Sequence, residues 1–393
     1  MASAARAIHD HDPLDDQSLP GWLYHDPEYF ALEMARVIRP AWHIVCHLSD
    51  LPNAGDWRAL ALLGESVIVI RGADGEVRAF HNLCRHRGSR LVDGGEGCAR
   101  KLVCPYHGWA YEPDGRLTGV PERAQYGALD PAALGLLPVE LEQWRGFLFV
   151  RLDGGGPTVA AMMADHEADV APYRFEELQP LGRVQLRPRA LNWKTLGDNY
   201  SDALHIPIGH PGLTRLFGRD GYGIEAGRFV DRMWGDVLPG PSTNASERAY
   251  QAMLPPVGHL PADRQRLWLW LKLWPLTAIE IYPDQVGFMQ FIPVSATHTL
   301  IRDMSYAVPD GRRTMRAARY LNWRINRRVN AEDTALIARV QAGMGSPAYR
   351  AGPLGAGEVG LRSFAAKLRH LIPEARLPQP PAPGWSHRPR ATA

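Results

Sequence analysis

The chain has 393 residues, of which 22% are charged, 38 are glycine and 33 are proline; this length is enough for two domains with their own cores. The composition excludes a disordered tail, a collagen-like repeat and a small disulfide scaffold. The 44 basic and 42 acidic residues give a formal net charge of +2, so no global field favours nucleic acid or an anionic membrane. No apolar run reaches about 18 residues and the start lacks a signal-peptide core, so we expect a cytoplasmic protein without a membrane segment.

The first half has the pattern of an antiparallel all-β domain. From about residue 41 to residue 152, short runs of β-branched and aromatic residues alternate with turn signals. Asp74-Gly75 and Asp114-Gly115 are typical of hairpin turns. Residues 154–157, three glycines and a proline, predict a linker.

The second half mixes helix and strand signals, so the predicted fold class is α+β. We expect a helical stretch near residues 159–175, and paired strands in the Trp-rich run that begins at Arg266. A long helix is predicted from about Arg312 to Met344, because its apolar residues recur mostly at three to four positions.

Two cysteines and two histidines form the first candidate site. Cys84 and His86 stand in a C-x-H motif, and after seventeen intervening residues Cys104 and His107 stand in a C-x-x-H motif. Two thiolates and two imidazoles suit a tetrahedral zinc ion, or a [2Fe-2S] cluster with cysteine on one iron and histidine on the other. Each turn supplies one residue of each type, which favours the cluster, with zinc or plain packing as alternatives.

The second candidate site lies in the segment NWKTLGDNYSDALHIPIGHPG. Asp202, His205 and His210 stand at i, i+3 and i+8, and the first two would share a helical face. Pro207 is expected to end that helix, and His210 precedes a proline, which disfavours the α region. Two imidazoles and one carboxylate would leave open positions on Fe(II). A histidine pair alone is more often structural, so the assignment depends on context.

The two motifs together resemble a known family. The stretches HNLCRHRGSRL and CPYHGWAY are similar to the Rieske domain of aromatic ring-hydroxylating oxygenases. The pattern D-N-Y-x-D-x-x-H-x-P-x-x-H-P resembles the mononuclear iron motif of their α subunits, and the likeness extends from about Ser18 to Pro378. It implies a Rieske [2Fe-2S] domain followed by a helix-grip, START-like catalytic domain with an antiparallel sheet and a long C-terminal helix.

The expected domain boundaries follow from this resemblance. They are a helical segment at residues 1–40 that packs on the catalytic domain, a Rieske domain at 41–155, a catalytic domain at 156–385 and a disordered tail at 386–393.

The resemblance also implies further site residues. The segment Asn330-Ala331-Glu332-Asp333 is similar to the element that carries the third iron ligand, which makes Asp333 the carboxylate ligand and leaves Glu332 as the alternative. The carboxylate at the position of Asp202 is not a ligand in the family. It hydrogen-bonds an iron-binding histidine and a cluster-binding histidine of the adjacent subunit, which implies a head-to-tail homotrimer.

The implied activity is that of a terminal oxygenase component. Electrons pass from the Rieske cluster to Fe(II), which activates O₂ for hydroxylation, dihydroxylation or oxidative demethylation of a small aromatic or quaternary-ammonium substrate. A separate flavin reductase would oxidise NAD(P)H, because no dinucleotide fingerprint follows a strand here. A ferredoxin could carry the electrons to the cluster, and a β subunit could also join. Six aromatic residues could wall the substrate pocket, although a plain core is the first expectation: Trp268, Trp270, Trp274, Tyr282, Phe288 and Phe291.

Two rival classes remain at this point. One is a Rieske electron carrier without oxygenase chemistry, which would need only about one small domain. The other is a zinc-stabilised protein whose aromatic strands bind an apolar ligand.

Overall fold

The computed structural model describes residues 13–387, which fall into two compact units. The small unit comprises Arg39–Arg183 and Met304–Pro309, and the large unit comprises residues 13–38, Val184–Asp303 and residues 310–387. Most of the tail predicted at 386–393 lies outside the described residues. Within residues 13–387, none of the helices combines the length and the hydrophobicity that a membrane span requires.

Helices and strands are numbered in chain order. The α-helices are α1 (Pro27–Glu33), α2 (Val159–Met163), α3 (Glu167–Val170), α4 (Trp193–Tyr200), α5 (Ile206–Gly209), α6 (Pro211–Phe217), α7 (Ala245–Met253), α8 (Arg313–Met344) and α9 (Val359–Leu371). The strands are β1 (His43–His47), β2 (Asp56–Leu62), β3 (Glu65–Arg71), β4 (Val77–His81), β5 (Gly95–Cys98), β6 (Leu102–Val103), β7 (Ala110–Tyr111), β8 (Leu117–Gly119), β9 (Glu140–Trp144), β10 (Phe147–Arg151), β11 (Gln179–Pro180), β12 (Gln185–Arg189), β13 (Tyr222–Glu225), β14 (Val230–Asp236), β15 (Leu267–Leu273), β16 (Thr277–Ile281), β17 (Val286–Ser295) and β18 (His298–Ala307).

The small unit is built from three small antiparallel sheets. Their strand orders are β1-β10-β9, β4-β3-β2-β5 and β6-β7-β8. Both predicted hairpin turns are present, since Asp74-Gly75 joins β3 to β4 and Asp114-Gly115 joins β7 to β8. Gly75 and Gly115 have φ values of 82° and 89°, a region that favours glycine. The predicted antiparallel β domain is therefore confirmed.

The small unit extends beyond the predicted linker at residues 154–157. The expected helical stretch over residues 159–175 occurs as α2 and α3, separated by short 3₁₀ turns. Both stay with the small unit because β9 holds them: Glu142 accepts a hydrogen bond of 2.7 Å from the backbone N–H of Val159, and Trp144 donates one of 2.8 Å to Glu167. This division differs from the predicted boundary at residue 155 over residues 156–183.

The large unit contains an antiparallel sheet with helices packed against it. The strand order is β18-β17-β16-β15-β14-β13, and β12 pairs with β18. The Trp-rich run forms β15, β16 and β17, as predicted for paired strands. The long predicted helix is α8, which packs against α4, α5 and α7. The predicted α+β fold is thus confirmed, and α8 together with α4 and α5 frames the site described next.

Candidate metal centres and cavity

The C-x-H and C-x-x-H motifs form two turns with the same backbone pattern. In the first turn, the N–H of Cys84 donates to Ser89 O at 2.7 Å and the N–H of Gly88 donates to Cys84 O at 2.9 Å. The second turn repeats both bonds, at 2.7 and 3.0 Å, from Cys104 and Gly108. Gly88 and Gly108 have φ values of 73° and 72°, so each turn depends on a residue that tolerates the left-handed region.

The side chains of the two turns fit a [2Fe-2S] cluster with mixed ligands. Cys84 and Cys104 are buried, unpaired thiols, and the His86 and His107 ring centroids are 4.6 Å apart. The Nδ1 atoms of both histidines are buried and have no hydrogen-bond partner. Because buried polar atoms are normally satisfied, these two nitrogens have the chemistry of metal ligands.

Neighbouring rings hold this site in place. His86 stacks on Trp109 with ring centroids 4.9 Å apart and planes 8° apart. Tyr111 Oη lies 3.3 Å from Cys84 Sγ and accepts a hydrogen bond of 3.0 Å from the Arg85 N–H. Partial burial, His107 and Arg87 lower the pKa of His86, which favours the neutral imidazole that binds metals.

The second candidate site lies where α4 ends and two short helices begin. α4 ends at Tyr200, so Asp202 is outside any helix, and the prediction that it shares a helical face with His205 is wrong. Pro207 does not end a helix either, because it occupies the first turn of α5. A proline is tolerated there, since the first-turn N–H has no helical partner to lose. His210 joins α5 to α6 with φ −124° and ψ 72°, outside the α region as predicted.

Three predicted site residues converge. His210 Nε2 is 2.8 Å from Asp333 Oδ1 and 3.1 Å from His205 Nε2, and His205 Nε2 is 3.6 Å from Asp333 Oδ1. All three ligand atoms lie within 4.8 Å of one another. Ligands about 2.1 Å from a common ion and at right angles lie about 3 Å apart. The donor set and its spacing therefore fit a two-histidine, one-carboxylate metal site.

Two further carboxylates contact the Nδ1 edges of the two imidazoles. Asp202 Oδ2 is 2.9 Å from His205 Nδ1, and Glu332 Oε2 is 3.0 Å from His210 Nδ1. Glu332 also accepts a hydrogen bond of 3.0 Å from Arg328. Carboxylates in these positions fix the protons on Nδ1 and leave both Nε2 lone pairs directed at the same point. Glu332 thus contacts the Nδ1 edge of His210, whereas Asp333 faces the Nε2 atoms of His205 and His210.

The acid–base state of the site follows from its negative charges. Burial acts to raise the pKa of Asp333, but hydrogen bonds with His205 and His210 lower it to about 2. Burial acts to lower the pKa of His205, but Asp202 and Asp333 raise it to about 9. The carboxylates therefore favour a cation at this position, which a divalent metal satisfies with neutral imidazoles.

A cavity of about 100 Å³ opens onto the three converging residues. One wall is α8, whose residues at helical spacing line it: Asn326, Val329, Asn330, Asp333, Thr334 and Ile337. The opposite wall carries aromatic and acidic side chains from α4 and the sheet: Tyr200, Tyr222, Trp270, Glu280 and Phe291. The cavity lining therefore combines apolar and aromatic side chains with polar groups that include the converging triad, a combination found in substrate sites.

The sequence identified only part of this cavity. Of the six aromatic residues singled out, Trp270 and Phe291 line it, whereas Trp268, Tyr282 and Phe288 are buried in the unit. The sixth, Trp274, packs against Phe364 with ring centroids 5.0 Å apart. Tyr200, Tyr222 and Glu280 were missed. Tyr200 lies two residues before Asp202 in the recognised motif, so proximity to that motif could have indicated it.

Comparison with known proteins identifies the family. A model of the Rieske [2Fe-2S] domain matches residues 41–140, and a model of the ring-hydroxylating α subunit (catalytic domain) matches residues 165–374. The chain belongs to the α subunits of the Rieske ring-hydroxylating oxygenases. The oxygenase therefore carries a Rieske [2Fe-2S] cluster and a mononuclear iron, and it is the terminal component that activates O₂. This finding excludes the electron carrier and the zinc-stabilised binding protein.

Several curated relatives of the oxygenase are similar over most of its length. It is 30% identical to the carnitine monooxygenase oxygenase subunit of Escherichia coli (strain K12) over 346 residues, which cover 86% of this chain and 87% of that protein. It is 27% identical to the chloroplastic choline monooxygenase of Atriplex hortensis, covering 94% and 82%. It is 37% identical to the glycine betaine monooxygenase oxygenase subunit of Chromohalobacter salexigens, covering only 50% and 44%.

Solved structures share the fold. A quaternary ammonium Rieske monooxygenase superposes with a TM-score of 0.78 at 22% identity, covering 91% of this chain and 96% of that one. Naphthalene 1,2-dioxygenase from Rhodococcus sp. gives a TM-score of 0.74 at 22% identity, covering 92% and 95%.

Proposed function

We propose that this oxygenase inserts one atom of O₂ into a small quaternary-ammonium compound, by hydroxylation or oxidative demethylation. The observation that carries the proposal is the cavity, which Tyr200, Tyr222 and Trp270 line together with the converging histidines. Aromatic faces attract a quaternary ammonium through their quadrupoles, by about 0.5–2 kcal/mol each. The names of the relatives, which act on carnitine, glycine betaine and choline, point to the same class.

We propose that His205, His210 and Asp333 hold the mononuclear iron. When bound, this iron supplies the O₂ chemistry, and the Rieske cluster supplies electrons. Asp202 and Glu332 keep the Nδ1 protons in place, so the imidazoles bind as neutral ligands. Asn199 donates a hydrogen bond of 2.7 Å to Asp333 Oδ1, which orients the carboxylate.

The proposed cluster ligands are Cys84, Cys104, His86 and His107. The two thiolates would bind one iron and the two Nδ1 atoms the other. Two neutral imidazoles in place of two thiolates remove negative charge, which places the potential at roughly −150 to +300 mV.

Asp202 is proposed as the positioning residue that links the two metals between neighbouring copies of the chain. One of its oxygens contacts His205 Nδ1, and the other accepts a hydrogen bond of 2.8 Å from the Leu204 N–H. In a head-to-tail homotrimer, Asp202 would also contact a cluster histidine of the adjacent subunit. Electrons would enter from NAD(P)H through a separate flavin reductase or ferredoxin.

The Asp202→Ala variant tests this link. We expect it to retain both metals, because Asp202 is not a ligand, and to lose cluster-to-iron electron transfer. Single-turnover oxidation of the pre-reduced cluster, followed by absorbance, measures the transfer rate. Fast transfer in the variant would reject the assignment.

Substrate-stimulated oxygen uptake tests the proposed reaction. Purified oxygenase with a surrogate reductase is offered quaternary-ammonium compounds and, as a second panel, aromatic acids. With labelled O₂, we expect one labelled oxygen in the product from the quaternary-ammonium panel. Uptake with aromatic acids alone, or two labelled oxygens in the product, would contradict the proposal. The His205→Ala variant controls for uptake that does not involve the iron.

A further inference from the structure

Glu280 is an acidic residue of the cavity that the iron site does not use. It lies on β16, and the other acidic residues and histidines of the described cavity lining are the converging triad and Asp202. Glu280 is half-buried and lines the cavity. Its carboxylate therefore meets whatever molecule occupies the space in front of the iron.

The surroundings of Glu280 leave its negative charge without a basic partner. Tyr200 on α4 donates a hydrogen bond of 3.1 Å to Glu280 Oε1. The guanidinium of Arg187 on β12 lowers the pKa of Glu280, but it forms its ion pair, of 2.8 Å, with Asp303 on β18. Burial and Asp303 raise the pKa of Glu280 to about 7, against the lowering effect of Tyr200 and Arg187. The phenol of Tyr200 thus orients the carboxylate, and within the described residues no lysine or arginine forms an ion pair with it.

The rest of the cavity gives no partner to an anionic group. Among the described residues that line it there is no lysine and no arginine. Asp202, Glu280 and Asp333 together balance or exceed the two charges of a ferrous ion. A substrate carboxylate placed here would lose its hydration without gaining a counter-charge, which is costly.

The aromatic residues lie on the same side as Glu280. Tyr222 and Trp270 have ring centroids 5.9 Å apart, and Tyr200 and Phe291 have centroids 5.7 Å apart. Tyr200 belongs to both features, because its ring lines the cavity and its hydroxyl holds Glu280. A cation at this point would contact aromatic faces and one carboxylate together.

We infer that Glu280 is the counter-ion of the substrate ammonium group, and that the substrate is a monocation whose remaining part carries no carboxylate. This inference rests on the proposed function and narrows it, since carnitine and glycine betaine are zwitterions. It makes Glu280 a specificity-determining residue that contacts the substrate.

Binding to the anaerobic holoenzyme, measured by isothermal titration calorimetry, tests the inference with three compounds of similar size. These are choline, glycine betaine, and the neutral isostere in which carbon replaces the nitrogen of choline. We expect choline to bind at least about tenfold more tightly than either of the others, as expected for a partly desolvated charge pair. In Glu280→Gln, which retains the Tyr200 contact, the preference for choline over its isostere should fall by at least about fivefold, and the aromatic rings keep the remaining preference.

A matched control uses another buried acid of the large unit. Asp284 accepts a hydrogen bond of 2.8 Å from Tyr250 and does not line the cavity, so Asp284→Asn should keep the preference for choline. This control separates the loss of the cavity charge from a general effect of removing a buried carboxylate.

The pH dependence supplies a second readout. Below about pH 7 a proton competes with the cation for Glu280, so choline affinity should fall by up to about tenfold per pH unit. Above pH 7 the affinity for choline should be constant, and in Glu280→Gln this affinity should not change with pH.

Tighter binding of glycine betaine than of choline, or an unchanged preference in Glu280→Gln, would overturn the inference. Oxygen uptake with a zwitterion would then still support the proposed function. Absence of uptake with every quaternary-ammonium compound would overturn the proposed function itself, so the two failures are distinguishable.

Discussion

Asp333 and Glu332 are adjacent on α8, yet they contact opposite edges of the same imidazole. Asp333 Oδ1 lies 2.8 Å from His210 Nε2, and Glu332 Oε2 lies 3.0 Å from His210 Nδ1. A histidine binds a metal through one nitrogen and donates from the other. The two acids therefore have different roles, and substitution separates them.

We expect Asp333→Asn to lose the mononuclear iron and keep the cluster, so that iron falls from about three to about two per chain. Glu332→Gln should keep about three irons but release the mononuclear one to a chelator about 10–100 times more readily, as expected when a residue behind a ligand is changed. Iron analysis and chelation kinetics measure both effects. Retention of the third iron in Asp333→Asn together with its loss in Glu332→Gln would make Glu332 the ligand.

The residues of the two candidate metal sites could be proposed from the sequence: the cysteine–histidine set and the histidine pair by residue type and spacing, and Asp333 through the family resemblance. The cavity residues could not, because Tyr222, Trp270 and Glu280 come from separate strands with no shared motif. Alternation along a strand predicts which side chains share a face. Trp270 lines the cavity, whereas Trp268 on the same face is fully buried. Alternation does not distinguish the two, because the difference depends on what packs opposite each residue.

Helices α4 and α9 approach each other closely, and a glycine on each makes this possible. A Cβ on Gly197 would lie 2.9 Å from the Phe364 ring. A Cβ on Gly360 would lie 2.3 Å from the carbonyl oxygen of Ser201 and 2.7 Å from Ile224 Cδ1. Ser201 directly precedes Asp202 in the chain. Its contact with Gly360 therefore lets α9 support the segment that carries the candidate iron site.

Substitution at this contact should destabilise the large unit. We expect Gly360→Ala to reduce the free energy of unfolding by about 1–3 kcal/mol, because the backbone at Ser201 must move. Gly343→Ala is the matched control, since it lies in α8 with no atom within 4 Å of the added Cβ, and should raise stability by up to about 1 kcal/mol. Denaturant unfolding of the iron-loaded proteins measures both. Equal changes in the free energy of unfolding for the two variants would mean that the close approach of Gly360 to Ser201 does not contribute to stability.

Elements with a strong repeating pattern were predicted well. The apolar spacing of α8 predicted its length within one residue, because apolar residues that recur every three to four positions over many turns are typical of a helix. The short helices α5 and α6 were not predicted, since each is shorter than two or so turns of regular pattern and is defined by proline at its start. Residues 156–183 stay with the small unit through the long-range contacts of Glu142 and Glu167, which a local sequence pattern does not show.

For the whole molecule, the proposed transfer between neighbouring copies makes a prediction about mixed oligomers. We expect His205→Ala to lack the mononuclear iron and to keep the cluster. We expect His107→Cys to keep the iron and a cluster of lower potential, since a thiolate replaces an imidazole. Each variant alone should be inactive.

Co-expressed and purified as mixed oligomers, the two variants should regain up to about a quarter of the wild-type turnover. In a random head-to-tail ring, about that fraction of neighbouring pairs joins an intact cluster to an intact iron. Oxygen uptake by the mixed preparation measures this recovery. If each chain used its own cluster, the mixture would be as inactive as its components.

The buried Nδ1 atoms of His86 and His107 have a consequence for how the enzyme matures in the cell. An interior nitrogen without a partner weakens the fold around it, by about 1–3 kcal/mol for each atom. Ligation of iron removes that cost, so cofactor assembly and the conformational stability of the small unit are thermodynamically linked. Under iron starvation the newly made chain would then be more susceptible to proteolysis, and its abundance would follow the supply of iron–sulfur clusters.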